Sequence, residues 1–148
     1  MDKSHDISVL NGLIETTLDS MKGYSEACED SETSRSAFFS SMAQERSQVA
    51  SRLQSQVASL GGDPEDDSSF SAAAHRAFMG LKELVTTNDE KAIVEEVERG
   101  EDYIKSRYED ALQDGELSPQ SRQLVQECFQ SVQQGHDRMS ELKHQMEG

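Results

Sequence analysis

The stretch over residues 93–112 carries a glutamate within an apolar helical stripe. Four side chains recur at steps of four, three and four residues, which places them on one side of an α-helix: Val97, Glu101, Ile104 and Tyr108. A carboxylate in such a stripe must bind a cation or a metal, take up a proton, or lie where the stripe meets water. The environment of Glu101 is therefore the first question that this sequence poses.

The composition favours helices and disfavours several classes of partner. Trp is absent and Pro occurs only twice in 148 residues, a length that suits one domain spanning 1–148. The 29 acidic and 14 basic residues give a net charge of −15, which repels nucleic acid and anionic membranes. The sequence has no long apolar run and no signal-peptide pattern. We therefore expect a cytoplasmic protein without a membrane span.

Apolar residues at helical spacing predict four long helices and one short one. The predicted long helices cover about 5–30, 33–60, 90–113 and 119–146, and the short one covers about 70–85. Gly61 and Gly62 end the second long helix, whereas Ser118 caps the fourth and Pro119 opens it.

The same spacing predicts an ionisable side chain within two further stripes. The second helix presents Phe38, Met42, Glu45, Val49, Leu53, Gln56 and Leu60, and the fourth presents Val125, Phe129, Val132, His136, Met139 and Lys143. Arg46 is expected on the flank of the second stripe. Glu45, Glu101 and His136 all fall near the middle of their helices, so we expect them at one level of the bundle.

The connection lengths predict how the helices are wired. Short turns join the first helix to the second and the third to the fourth, which makes each pair an antiparallel hairpin. Nearly thirty residues join the second helix to the third, enough to travel the length of the bundle. The second and third helices would then be parallel, as in a ferritin-like four-helix bundle with a long crossover.

Several short strings resemble, in order, an uncharacterised bacterial family of ferritin-like four-helix bundles known only as a domain of unknown function. The strings are Leu10-Asn11-Gly12-Leu13-Ile14, Asp19-Ser20-Met21-Lys22-Gly23-Tyr24, Gln44-Glu45-Arg46, Leu60-Gly61-Gly62, His75-Arg76, Glu98-Arg99-Gly100-Glu101-Asp102, Tyr108-Glu109-Asp110-Ala111-Leu112 and His136-Asp137-Arg138. The resemblance implies the fold and no particular activity. The wider ferritin-like superfamily includes di-iron oxidases, iron stores, manganese catalases and members without metal.

A complete di-iron centre is not predicted. Such a centre needs a Glu-x-x-His pair on each of two helices, and no long helix carries one. The corresponding places read Glu45-Arg-Ser-Gln48 and Gln133-Gln-Gly-His136. What remains is a reduced set of Glu45, Glu101 and His136, with Glu98 at its edge, which suits one divalent ion such as Fe, Mn or Zn.

A polar layer without metal is the competing interpretation. Arg46 or His136 would bind Glu101 and Glu45, because buried charges are usually paired. His75 on the short helix and Tyr108 on the third helix are further partners for this layer, and a small polar ligand is a third alternative. Spacing does not decide among the three.

No feature of the sequence indicates nucleophilic catalysis. Cys28 and Cys128 fall on apolar helical faces and are expected to remain reduced and buried, and no Ser/His/Asp arrangement can be argued from spacing. We therefore expect an acidic, non-catalytic structural or stress-associated binding protein that forms a homodimer or another homo-oligomer. The alternative function is a metal-binding or redox protein that uses the reduced set of ligands.

Overall fold

The computed structural model describes residues 3–30, 33–66 and 90–147, and its regular secondary structure is entirely helical. Its four helices are α1 (Lys3–Asp30), α2 (Thr33–Ser59), α3 (Glu90–Leu112) and α4 (Pro119–Glu147). The all-helical prediction is confirmed for these residues, and each helix end lies within two residues of the expected position. The short helix predicted over 70–85, which contains His75, lies outside the described residues.

The end of α2 shows why two successive glycines are needed there. Gly61 has a φ of +84°, a left-handed conformation that L side chains rarely adopt. The amide of Gly61 donates to the Ala58 carbonyl at 3.0 Å, and the amide of Gly62 donates to the Val57 carbonyl at 2.9 Å, which is a Schellman cap. A Cβ at residue 62 would lie 2.8 Å from the Ile7 side chain, so Gly62 allows α1 to approach.

The turn between α3 and α4 is held by its own side chains. The Ser118 hydroxyl accepts from the Ser121 amide at 3.4 Å, and Pro119 occupies the first helical position, as predicted. Arg122 donates to the carbonyls of Leu112 at 2.7 Å and Asp114 at 2.5 Å. This guanidinium satisfies carbonyls that the end of α3 leaves without helical partners.

Each helix packs against two others: α1 against α2 and α3, and α4 against α3 and α2. The start of α1 meets the end of α3, since His5 contacts Asp114. Further along α1, Thr17 contacts Tyr108, so later positions of α1 meet earlier positions of α3. No described helix is long and apolar enough to cross a membrane.

The buried core divides into two apolar clusters. The larger includes Val49 of α2, Ile104 of α3 and Val132 of α4, and the smaller includes Met42, Val97 and Met139 of the same helices. On each of these three helices, the buried residue midway between the two clusters is polar or glycine: Arg46, Glu101 and Gly135. A polar layer therefore separates the two clusters.

Candidate functional site

An ion pair buried in the polar layer joins α2 to α3. Arg46 Nη2 lies 2.7 Å from Glu101 Oε2, and each side chain is only 1% exposed. Glu101 Oε1 accepts a hydrogen bond from the Tyr24 hydroxyl of α1. Arg46 Nη1 donates to the Ser20 hydroxyl at 3.2 Å. Both carboxylate oxygens of Glu101 are therefore occupied by donors from the protein.

The electrostatics of this cluster keep its hydrogen-bond directions fixed. Burial, followed by the negative charge of Glu101, raises the pKa of Tyr24 well above its ordinary value, so the phenol stays protonated and donates. Burial is the largest single influence on Arg46 and lowers its pKa, but the charge of Glu101, its hydrogen bond and the neighbouring tyrosines together outweigh burial, so the pKa is raised. The Arg46 guanidinium also lies 5.8 Å from the centre of the Tyr24 ring, within cation–π range.

Gly135 on α4 makes room for the guanidinium. A Cβ at this position would overlap Arg46 Nη2 and would lie 2.7 Å from Met42 Cε. Real Cβ atoms are essentially never this close to a neighbour. The absence of a side chain at residue 135 thus allows Arg46 to extend between α2, α3 and α4.

The position of Glu45 differs from the expected one. Its carboxylate lies 2.9 Å from Arg138 Nη1 of α4 with its side chain 29% exposed, whereas Arg46 occupies the core. Both residues are a turn from Met42 and a turn from Val49, because steps of three then four and of four then three both follow a helix face. Spacing alone could not distinguish them, and the structure corrects the placement of Glu45 within the stripe and of Arg46 on its flank.

His136 also lies beside the core stripe of α4, and Gly135 takes the core position expected for it. His136 Nε2 lies 2.7 Å from Asp102 Oδ1 of α3. Its Nδ1 is buried without a hydrogen-bond partner among the described residues and lies 3.6 Å from Asp137 Oδ1. The contacts of His136 are therefore with Asp102 and Asp137 and do not include Glu101.

The two remaining predicted residues are paired elsewhere. Glu98 Oε1 lies 3.1 Å from Lys143 Nζ of α4. Tyr108 is bonded to the Thr17 hydroxyl at 2.8 Å. Because Thr17 donates its one hydroxyl hydrogen to the Leu13 carbonyl at 2.6 Å, Tyr108 is the donor to Thr17. The structure brings Arg46 to Glu101 but does not bring Glu45, Glu98, His136 or Tyr108 into hydrogen-bond contact with it.

Sequence reasoning missed two side chains of the ion-pair cluster, Tyr24 and Ser20. A signal for Tyr24 is present in the spacing: Tyr24 follows Thr17 by seven residues, and Glu101 precedes Tyr108 by seven. Two helices that run in opposite directions and pair Thr17 with Tyr108 must also bring Tyr24 near Glu101. The register between helices, rather than the stripe of each helix, carries this information.

The charged group beside Glu101 is the Arg46 guanidinium and not a second carboxylate or an imidazole. Within residues 3–30, 33–66 and 90–147, no group of three or more His, Cys, Asp or Glu side chains is arranged to hold one. A divalent ion bound to Glu101 would have to displace the Arg46 guanidinium from the carboxylate, and the two cations would then lie side by side.

The thiol of Cys128 is buried, which raises its pKa to about 11 and leaves it unreactive at neutral pH. The side chain of Cys28 lies outside the described residues.

A second polar cluster lies where α1 begins. The Asp6 carboxylate, 1% exposed, accepts from the Ser118 amide at 3.0 Å, from the Ser118 hydroxyl, and from the Ser121 hydroxyl at 2.9 Å. Burial is the largest single influence and raises the pKa of Asp6, but these hydrogen bonds outweigh it and the pKa is lowered. Asp6 therefore fastens α1 to the N-terminus of α4 as a carboxylate.

Replacing Asp6 by asparagine is expected to lower the free energy of unfolding by about 1 kcal/mol, because a charge-assisted acceptor becomes a neutral one. Urea unfolding at pH 7 measures the difference. Asp110→Asn, at an exposed position of α3, is the matched control and should change stability by less than about 0.5 kcal/mol. Equal effects of the two variants would show that Asp6 does not fasten the helices.

Comparison with known proteins places most of the chain in one family. No curated protein matches this sequence. A family model described as "Domain of unknown function (DUF2383)" matches residues 5–114. The match includes α1 from its third residue, all of α2 and α3, and the whole Tyr24–Arg46–Glu101 cluster. Since the match covers well over half of the 148 residues, the chain belongs to this domain-of-unknown-function family, DUF2383.

Proposed function

We propose that this protein is a ferritin-like bundle whose polar layer is closed by an ion pair instead of a metal, and that it acts without catalysis as a structural or stress-associated binding protein. One observation carries the proposal: Arg46 and Glu101 are in contact at 2.7 Å and both are buried. An arginine cannot release its proton at physiological pH, so it is a permanent counter-charge for Glu101.

The candidate metal ligands support the same conclusion by their separate partners. Glu45 contacts Arg138, Glu98 contacts Lys143, and His136 contacts Asp102. A metal that recruited them would have to break these ion pairs in addition to the buried one. The free energy lost with these ion pairs would have to be regained from metal coordination, which a neighbouring guanidinium disfavours.

Ferritin-like wiring is part of the proposal and is supported by the contacts between helices. As the residue number rises along α1, the number of the residue that it contacts in α3 falls, and Thr17 with Tyr108 is one such contact. The same holds between α2 and α4, where Arg52 contacts Glu127. Contacts of this kind belong to helices that run in opposite directions. With α1 and α2 as a hairpin, α2 and α3 are then parallel, as the ferritin-like wiring requires.

Elemental analysis of untagged protein purified without chelator tests the absence of a resident metal. We expect Fe, Mn and Zn each well below one ion per chain, also after incubation with the metal followed by gel filtration. Stoichiometric metal that disappears in a Glu101→Ala variant would overturn the proposal and would support the metal-binding or redox alternative.

The alternative has one observation in its favour. His136 Nδ1 is a buried imidazole nitrogen without a hydrogen-bond partner in the part of the chain that the structure describes. Metal that is lost in His136→Gln but retained in Glu101→Ala would therefore indicate a different site, between α3 and α4. The same elemental analysis distinguishes this outcome from a site at Glu101.

The oligomeric state and location in the proposal rest on the sequence alone. We propose a homodimer or another homo-oligomer in the cytoplasm. Light scattering during gel filtration should give at least twice the 16.5 kDa mass of one chain. A mass of one chain at micromolar concentration would contradict the oligomer and leave the ion-pair proposal unaffected.

A further inference from the structure

The start of α1 carries a histidine that faces two carboxylates of the α3–α4 turn. His5 Nε2 lies 2.7 Å from Asp114 Oδ2, and His5 Nδ1 lies 3.8 Å from Glu116 Oε2. A neutral imidazole has one N–H and can donate to only one of these groups, whereas the imidazolium has two. The interaction of His5 with Asp114 and Glu116 is therefore strongest when His5 is charged.

The turn orients the Asp114 carboxylate independently of His5. Its Oδ1 accepts from the Glu116 amide at 2.9 Å within the turn, which leaves Oδ2 directed at His5. The backbone hydrogen bond from Glu116 and then the bond from His5 lower the pKa of Asp114, so it is a carboxylate at neutral pH. The charged partners of His5 are Asp114 and Glu116 on the turn and Asp6 on its own helix, with Arg122 of α4 acting on Asp114.

The next residue in the chain, Asp6, holds the start of α4. Asp6 accepts from Ser118 and Ser121, and His5 binds the turn that immediately precedes Ser118. One helical turn of α1 thus contacts both the end of α3 and the start of α4. A change at His5 acts on the same few residues that Asp6 fastens.

We propose that the first turn of α1 is a pH-sensitive clamp, which grips the α3–α4 turn when His5 is protonated and loosens when His5 is neutral. This device is additional to the proposed function and does not depend on the ion pair at Glu101. The hydrogen bond to Asp114 is the main influence that raises the pKa of His5 above its ordinary 6.5. The clamp is therefore complete below pH 6.5 and is lost as the pH rises through the raised pKa.

Hydrogen exchange of the Ser118 amide measures the clamp, because this amide donates to Asp6. We expect its protection, corrected for the intrinsic exchange rate, to fall about threefold or more between pH 5.5 and pH 8. Protection of the Val49 amide in the core, measured in the same samples, corrects for any change in global stability.

Two variants and one control make the test decisive. His5→Gln and Asp114→Asn should each remove the pH dependence of Ser118 protection, because each deletes one half of the pair. His144→Gln, at an exposed position in the last turn of α4, should retain it. The proposal is overturned if His5→Gln shows the wild-type pH dependence, or if Ser118 protection in the wild type does not change with pH.

Discussion

Replacing Glu101 by alanine is expected to lower the free energy of unfolding by about 3–5 kcal/mol, because it leaves the Arg46 guanidinium buried without its counter-charge. The Tyr24 hydroxyl loses its acceptor in the same variant. Urea unfolding at pH 7, followed by circular dichroism, measures the change. A loss of this size is a large part of the stability of a domain of this length.

The ion pair between Glu45 and Arg138, at the surface beside the buried pair, provides a matched control. Glu45→Ala breaks the contact with Arg138, where both partners are partly exposed, and should cost no more than about 1 kcal/mol. The combination of Arg46→Met with Glu101→Gln should recover most of the loss of Glu101→Ala, since it removes both charges and keeps an acceptor for Tyr24. If Glu101→Ala costs no more than Glu45→Ala, the buried ion pair does not hold the polar layer together.

Replacing Gly135 by alanine is expected to destabilise the protein by about 2 kcal/mol, although alanine is the better helix former. The added methyl group would overlap the Arg46 guanidinium and crowd Met42 Cε. Both are ends of flexible side chains, but the guanidinium cannot move away without weakening its buried ion pair with Glu101. Gly100→Ala in α3 is the control, because nothing lies within 4 Å of the added methyl group there. This second variant should instead gain up to about 1 kcal/mol from helix propensity.

A double-mutant cycle separates crowding of Arg46 from crowding of Met42. In an Arg46→Met background, the shorter and more adaptable side chain should reduce the cost of Gly135→Ala to below about 1 kcal/mol. Differential scanning calorimetry and urea unfolding of the four proteins give the coupling. An unchanged cost in the Arg46→Met background would mean that Gly135 does not serve to accommodate the guanidinium.

The helices were predictable because their signals are local. Gly61 and Gly62 end α2, Pro119 opens α4, and apolar periodicity runs through each segment, so each predicted end lies within two residues of the structure. The spacing of Val97, Ile104 and Tyr108 is local as well, and it places Glu101 on the inner face of α3, where the side chain is 1% exposed. These properties need no knowledge of the neighbouring helices.

The polar layer was only partly predictable because it depends on the phase of each helix and on the register between helices. Glu45 and Arg46 satisfy the same spacing, as do Gly135 and His136, and only packing against neighbouring helices selects one of each pair. The burial of an arginine is also difficult to predict, because it is tolerated only when a carboxylate pairs with it. When that carboxylate lies on another helix, the spacing within one helix does not show it. Gly135 has no chemistry of its own, and its role appears only beside Arg46.

NMR of the arginine side chains tests the central claim most directly, that Arg46 is held by Glu101 within the core. We predict separate, slowly exchanging guanidinium signals for Arg46, unchanged by one equivalent of Mn²⁺ and absent from Arg46→Lys. The signals of Arg138, whose side chain is 46% exposed, should exchange rapidly with water in the same spectrum. Rapid exchange of the Arg46 signals, or their broadening by Mn²⁺ in a protein that binds the ion stoichiometrically, would contradict the account.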